Sequence, residues 1–173
     1  GVYEVLAGSD YQPGWIAGIS IGAINAALIA GNAPADRVAR LAGALQQLGM
    51  RDGDRVAMLA LNADRYREYQ LAVPWGGGVL NPCNTRWSAA EIVYSLDDSG
   101  STILLIDETF RALGAQIRAE ARTLREVIYC GDASAPDGMH DYEALVAASA
   151  PVADALRRGD DLAGIFYTGG TTG

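Results

Sequence analysis

Two short stretches carry residue types that could do chemistry. The first is Gly18-Ile19-Ser20-Ile21-Gly22, a GxSxG between a short apolar run at 15–18 and a helix-forming run at 23–30. A Ser on a sharp strand-to-helix turn projects its hydroxyl outward, at a helix N-terminus where developing negative charge is favoured. Ser20 is therefore a candidate nucleophile; a junction that simply needs small residues is the competing reading. The second stretch is Thr168-Gly169-Gly170-Thr171-Thr172-Gly173, which follows an apolar run over 162–167 that reads as a buried strand. Glycines let a backbone turn tightly and approach an anion, and successive N–H groups and Thr hydroxyls can wrap phosphate oxygens. A flexible Gly/Thr tail is the alternative.

A nucleophilic Ser20 needs a base and an acid. His140 is the one histidine of the chain, and Asp107 and Asp132 each end a strand-like run. The order Ser, acid, His is that of α/β-hydrolases. Against it, a lone His in a polar loop is ordinarily just solvated.

Composition narrows the classes. The chain has 173 residues, half of them hydrophobic, and a formal net charge of −8. That length supports one core, and the charge argues against a nucleic-acid partner or an anionic membrane surface. All 13 basic residues are Arg, with no Lys. Cys83 and Cys130 show no metal-ligand or CxxC spacing, so free thiols in a reducing cytoplasm are expected. No segment is apolar for long enough to span a membrane. The chain opens on Gly1 and stops within the Gly/Thr loop, so the expectation is a piece of something longer.

Stretches able to position these residues alternate in type. Pro34 is expected to stop a helix and Asp36 to cap the next, which runs from Arg37 to about Met50 with Gly49 at its end. Strands are expected at 56–61, 79–80, 102–106, 127–130 and 162–167. Helices are expected from Asp64 to about Val73, from a Ser88-Ala89-Ala90-Glu91 capping box to Leu96, over 109–121 and over 141–148. Tyr66 and Tyr69 read as surface or core-edge residues, and Trp15, Trp75 and Trp87 as packing aromatics. Arg118, Arg122 and Arg125 read as a solvated face. Short strands alternating with helices, without hairpin signals, give an α/β fold: a mainly parallel sheet with helices on both faces. Ligands in such sheets bind beyond the carboxyl ends of the strands. An unfinished sheet edge would favour self-association.

Two resemblances add to this. Gly1-Val2-Tyr3-Glu4-Val5-Leu6 and the run from Trp15 to Asn32 resemble the nucleophile elbow of patatin-like phospholipases, with Ser20 as the acyl-accepting nucleophile. That family's oxyanion loop is absent, and Asp137-Gly138 is the only approximation to its catalytic Asp. From about Asp36 the chain resembles AMP-forming acyl-CoA synthetases of the adenylate-forming superfamily. Carrying residues include Gly53-Asp54-Arg55-Val56-Ala57, Gly78-Val79-Leu80-Asn81-Pro82, Asn84-Thr85-Arg86-Trp87-Ser88 and the run from Ile165 to Gly173. The second resemblance implies an incomplete adenylating-enzyme N-terminal subdomain, ATP, Mg²⁺ and CoA, a small carboxylic acid substrate and an acyl-adenylate intermediate. Residues 168–173 would be the ATP phosphate loop, while the catalytic lysines of that family have no counterpart here. The expected organisation is therefore 1–35 patatin-like and 36–173 adenylating, a chimera or fragment unable to complete adenylation alone.

Overall fold

The computed structural model describes residues 34–168. The chain divides after Pro34, and the fold is that of the unit Ala35–Gly173. It begins with helix α1 (Pro34–Gln47) and continues β1 (Arg55–Leu59), α2 (Asp64–Trp75), β2 (Val79–Pro82), α3 (Ala89–Ser99) and β3 (Ser101–Ile106). Then come α4 (Arg111–Glu120), β4 (Glu126–Tyr129), β5 (His140–Asp141) and α5 (Tyr142–Ala148). The five strands form one sheet in the order β2-β1-β3-β4-β5, with every pairing parallel.

Strand side chains alternate between two faces, and both faces are buried. Val56, Met58 and Ala60 from β1 and the turn after it, with Ile103, Leu105 and Ile128, pack against α1, α2 and α5. Ala57, Leu59, Leu104, Ile106 and Val127 point the other way, into α3 and α4. A strand covered on both faces reads as an unbroken apolar run, which is why Ile103 to Ile106 contains no polar residue. Parallel pairing of β1 to β4 follows, since each of these strands reaches the next through a helix, whereas β4 reaches β5 through a loop.

The helix ends are chemically specified. In α3 the Ser88 side chain accepts from Glu91 N while the Glu91 carboxylate accepts from Ser88 N, a complete capping box. Gly49, at φ +102°, closes α1: its N–H reaches Gln46 O and Met50 N–H reaches Leu45 O. That paired pattern needs a left-handed residue, which Gly supplies.

Several expected boundaries shift. Pro34 opens α1, where the first helical N–H has no partner for a Pro to remove; the helix it was expected to stop lies outside the described residues. Asp36 accordingly lies in the first turn of α1 rather than at its cap. Pro74 lies inside the last turn of α2, and the cap of that helix is Ala63, not Asp64. β5 lies within the stretch expected to be loop and helix start. Tyr69 is fully buried, not at an edge; its hydroxyl donates to Val56 O at 2.9 Å and accepts from Asn81 N at 3.0 Å.

Candidate functional site

The carboxyl edge of the sheet is where a strand-borne loop would meet a ligand, and two segments reach it beside β2. After α5 the chain runs without regular structure past α1 and α2, held by Val152 N–H on Ala39 O and Ala155 N–H on Trp75 O. It then meets β2 from outside. Gly164 forms a single parallel bridge with Leu80: Leu80 N–H donates to Ala163 O at 3.1 Å and Ile165 N–H to Leu80 O at 2.8 Å. The expected buried strand over 162–167 is thus reduced to one bridge, with Leu162 and Phe166 exposed by 53% and 65%. Among the described residues the segment has a strand neighbour on one side only, which leaves these apolar residues uncovered.

Because the bridge is parallel, the chain leaves it towards the carboxyl edge. Tyr167 is anchored there: its hydroxyl donates to Asp98 Oδ2 at 2.6 Å, and its ring meets Trp87 edge-on at 6.0 Å. Burial, then the neighbouring Asp98 carboxylate, push the Tyr167 phenol above its ordinary range, so it remains a donor. Thr168 follows, exposed. Gly169, Gly170, Thr171, Thr172 and Gly173 lie outside the described residues.

The loop after β2 flanks this point. Asn84 accepts from Arg86 N–H through Oδ1 at 3.0 Å and from Trp87 N–H through its carbonyl at 3.1 Å. This turn holds Trp87 against Tyr167 and leaves Arg86 exposed. Arg86 is a cation in an Asn turn directly after a strand.

The hydrolase candidates are held apart by other partners. Ser20 lies outside the described residues. Asp107 sits in the crevice between β1 and β3, where the strand order reverses. Its carboxylate accepts from Leu61, Thr109 and Phe110 N–H groups at 2.8, 2.9 and 3.2 Å. Asp132, 93% exposed, pairs with Arg65 at 2.7 Å. His140 Nε2 lies 2.7 Å from Glu126 Oε2, because the β4–β5 register sets His140 beside Ile128, on the strand that carries Glu126. Among the described residues no hydrogen bond links His140, Asp107 and Asp132 to one another.

A second polar cluster joins α1, α2 and α5. Glu68 is 3% exposed, yet its carboxylate meets Arg37 Nε at 2.5 Å and accepts from the Tyr142 hydroxyl. Arg37 and Arg65 converge on Glu143 at 2.6 and 3.1 Å, and both guanidinium groups lie over the Tyr142 ring. The hydrogen bond it donates to Glu143 holds Arg37 above the usual range against the cost of burial, with Glu68 adding to it. Arg37 in turn holds Glu143 below the usual carboxylate range. The sequence did carry a signal, since Glu68 shares the apolar α2 face with Ala72 at helical spacing. Burial pushes the Cys83 thiol up to about 11 and raises Cys130 further, so both are inert thiols. Among the described residues no three His, Cys, Asp or Glu side chains gather as a metal site.

The family model for AMP-binding enzymes matches residues 33–173. The chain belongs to this family. Among its curated AMP-binding relatives is a long-chain-fatty-acid–CoA ligase of Thermus thermophilus, 39% identical over 79% of this chain and 25% of that protein. A peroxisomal benzoate–CoA ligase of Arabidopsis thaliana is 34% identical over 79% of this chain and 26% of its own length. The ATP-bound crystal structure of MatB from Rhodopseudomonas palustris superposes with a TM-score of 0.66 at 33% identity, covering 80% of this chain and 27% of that one. The chain thus spans about a quarter of the curated relatives it matches. The parallel sheet with helices is the architecture expected of an adenylate-forming N-terminal region, and the family match begins at residue 33.

Proposed function

We propose that residues 36–173 form the N-terminal part of an AMP-forming carboxylic acid–CoA ligase, and that residues 168–173 are its ATP phosphate loop. The observation that carries this reading is the family match running through the loop, together with a bridge that delivers Thr168 to the carboxyl edge. ATP would supply the adenylyl group that activates a small acyl substrate, and CoA would accept the acyl group afterwards. Mg²⁺ binds chiefly through phosphate oxygens and water, so it needs no dedicated protein cage. This chain's part would be to present backbone N–H groups and Thr hydroxyls to phosphate, from a loop whose first residue, Thr168, follows Tyr167 and its contacts to Asp98 and Trp87. Having no Lys, these 173 residues supply no ammonium to the transition state and are expected not to complete adenylation alone. The test is direct binding of ATP to the chain and to Gly170→Val. Saturable binding lost in the variant supports the loop, whereas a clear ATP–pyrophosphate exchange signal with any fatty acid would refute the incapacity.

A second reading rests on the start of the family match at residue 33, which leaves Ser20 outside it. Residues 1–35 would be a patatin-like elbow joined to the adenylating part, by gene fusion, recombination or an artificial join, in a cytoplasmic protein prone to self-association. A long sequencing read of the source DNA across codons 30 to 45 separates these origins. Hydrolysis of a short-chain chromogenic ester by the chain but not by Ser20→Ala would establish Ser20 as nucleophile; equal rates would remove it.

A further inference from the structure

With no Lys in the chain, a permanent cation must be Arg, and most of the 13 Arg side chains are committed. Arg37, Arg65, Arg111, Arg122 and Arg157 are in ion pairs. Arg40, Arg55, Arg67 and Arg118 donate to carbonyl or amide oxygens. Among the described residues this leaves Arg51, Arg86, Arg125 and Arg158 with no side-chain partner. Arg86 follows β2 and stands on the carboxyl edge, while Arg51 precedes β1 and Arg125 precedes β4 on the amino side. Arg158 is set apart because it lines a hollow.

That hollow lies between the end of α2 and the segment that follows α5, and it encloses about 440 Å³. A second, of about 250 Å³, adjoins it through Pro74, Arg157 and Arg158 and reaches Gly78, just before β2. Both therefore open on the amino side of the sheet, at the end opposite to Thr168. Space of this size suits a small organic molecule. Leu71, Pro74, Trp75 and Leu156 supply apolar walls. The Trp75 indole is held in one orientation, since its Nε1–H donates to Val152 O at 2.8 Å. Leu156 takes φ +55°, a left-handed backbone that costs a Leu strain, and leaves its side chain 70% exposed at the rim. An outlier of this kind points to a site rather than to packing.

The charged groups on these walls are occupied in all but one case. Asp154 accepts from Leu156 N–H at 2.8 Å and Asp161 from Arg158 N–H at 2.9 Å. Arg157 pairs with Asp52 at 2.7 Å. The Arg158 guanidinium remains, exposed on a wall that is otherwise apolar or paired.

We propose that this hollow binds a small aromatic carboxylate, with its ring against Trp75, Pro74 and Leu156 and its carboxylate on Arg158. A guanidinium and a carboxylate match through two parallel hydrogen bonds, and flat apolar walls favour a flat body. The site is separate from the phosphate loop and stands whether or not that loop binds ATP.

The experiment titrates the whole chain with naphthoate and with its uncharged analogue naphthalenemethanol, followed by amide and indole NMR. Naphthoate is expected to saturate and to shift the Trp75 indole N–H and the amides of 156–159 ahead of those of β3. Arg158→Ala binds naphthoate about fivefold more weakly, with no change for the alcohol, and Arg158→Lys recovers part of the loss. Leu156→Gly keeps the fold, because Gly adopts a left-handed backbone freely, and weakens both ligands. Arg125→Ala, which removes an uncommitted cation elsewhere on the amino side, binds as wild type. Unchanged melting temperatures verify that the Arg variants are folded. Equal binding of naphthoate by wild type and Arg158→Ala, or an alcohol that binds as tightly as the acid, overturns the carboxylate contact and with it the proposal. So do shifts centred on Trp87 or Tyr167, or no saturation up to about 10 mM.

Discussion

Arg37 of α1 grips Glu68 of α2 at 2.5 Å, inside a protein where Glu68 is 3% exposed. Removing one partner of a buried pair strands the other charge, so Arg37→Met is expected to cost about 3 kcal/mol. Glu68→Gln, which removes the charge while keeping polar contacts to Tyr142 and Arg37, should cost less. Urea denaturation of both single variants and the double variant gives the coupling; additive effects would mean that the pair is not coupled.

The same cluster predicts a pH dependence. Arg37 holds Glu143 below its ordinary value of 4.5, so the unfolded state binds a proton more readily than the folded state. Its stabilisation is present above the unfolded pKa and is lost as pH falls through the lower folded value. Stability measured from pH 6 down to pH 3 should decline, and Arg37→Met should flatten that decline. A slope unchanged in the variant would assign the acid sensitivity to other carboxylates.

Tyr69 fastens β1 to the strand beside it through one hydroxyl, donating to Val56 O and accepting from Asn81 N–H. Tyr69→Phe removes both bonds in a fully buried site and is expected to cost about 2 kcal/mol, more than a typical single hydrogen bond. Chemical denaturation reads the difference, and a loss below about 0.5 kcal/mol would mean that ordered water replaces the hydroxyl.

Gly100 ends α3 at φ +69°, where an added Cβ would also run into the Arg55 guanidinium. Arg55 itself donates to Ser99, Gly53 and Gly100 carbonyls. Gly100→Ala therefore combines left-handed strain with a displaced Arg, and about 1–2 kcal/mol of lost stability is expected. Ser88→Ala, at the other end of the same helix, should cost about 1 kcal/mol. Thermal melts of the two variants compare the ends of α3 directly; the larger fall belongs to Gly100→Ala.

What was legible in the sequence was the part governed by local chemistry. The Ser88–Glu91 box, Gly49 beyond α1 and the unbroken apolar run of β3 each state their own conformation, and their alternation dictates a parallel sheet. What escaped depended on partners far along the chain. The run 162–167 is apolar enough for an interior strand, but only the position of β2 decides that it has one neighbour. Tyr69 looks like any amphipathic helix residue until β1 and β2 place a carbonyl and an amide beside its hydroxyl. Pro34 was read as a stop, yet the same missing N–H suits a first turn. For the candidate site, the Gly/Thr run stands out by composition but lies, beyond Thr168, outside the described residues, whereas the isolation of Arg86 on the carboxyl edge emerges only after the other cations have found partners.

The Leu80–Gly164 bridge consists of two hydrogen bonds, while Arg55 to Met58 is paired on both sides. The amide of Ile165 should therefore exchange with solvent through a small local opening, far faster than amides of β1, which await global unfolding. Thr168 hangs on that opening. On the proposed phosphate-loop reading, a ligand would meet a mixture of seated and detached segments, and its apparent affinity would be the intrinsic one scaled by the seated fraction. Substitutions at Tyr167, Asp98 or Trp87, remote from phosphate, would then tune binding by changing that population alone.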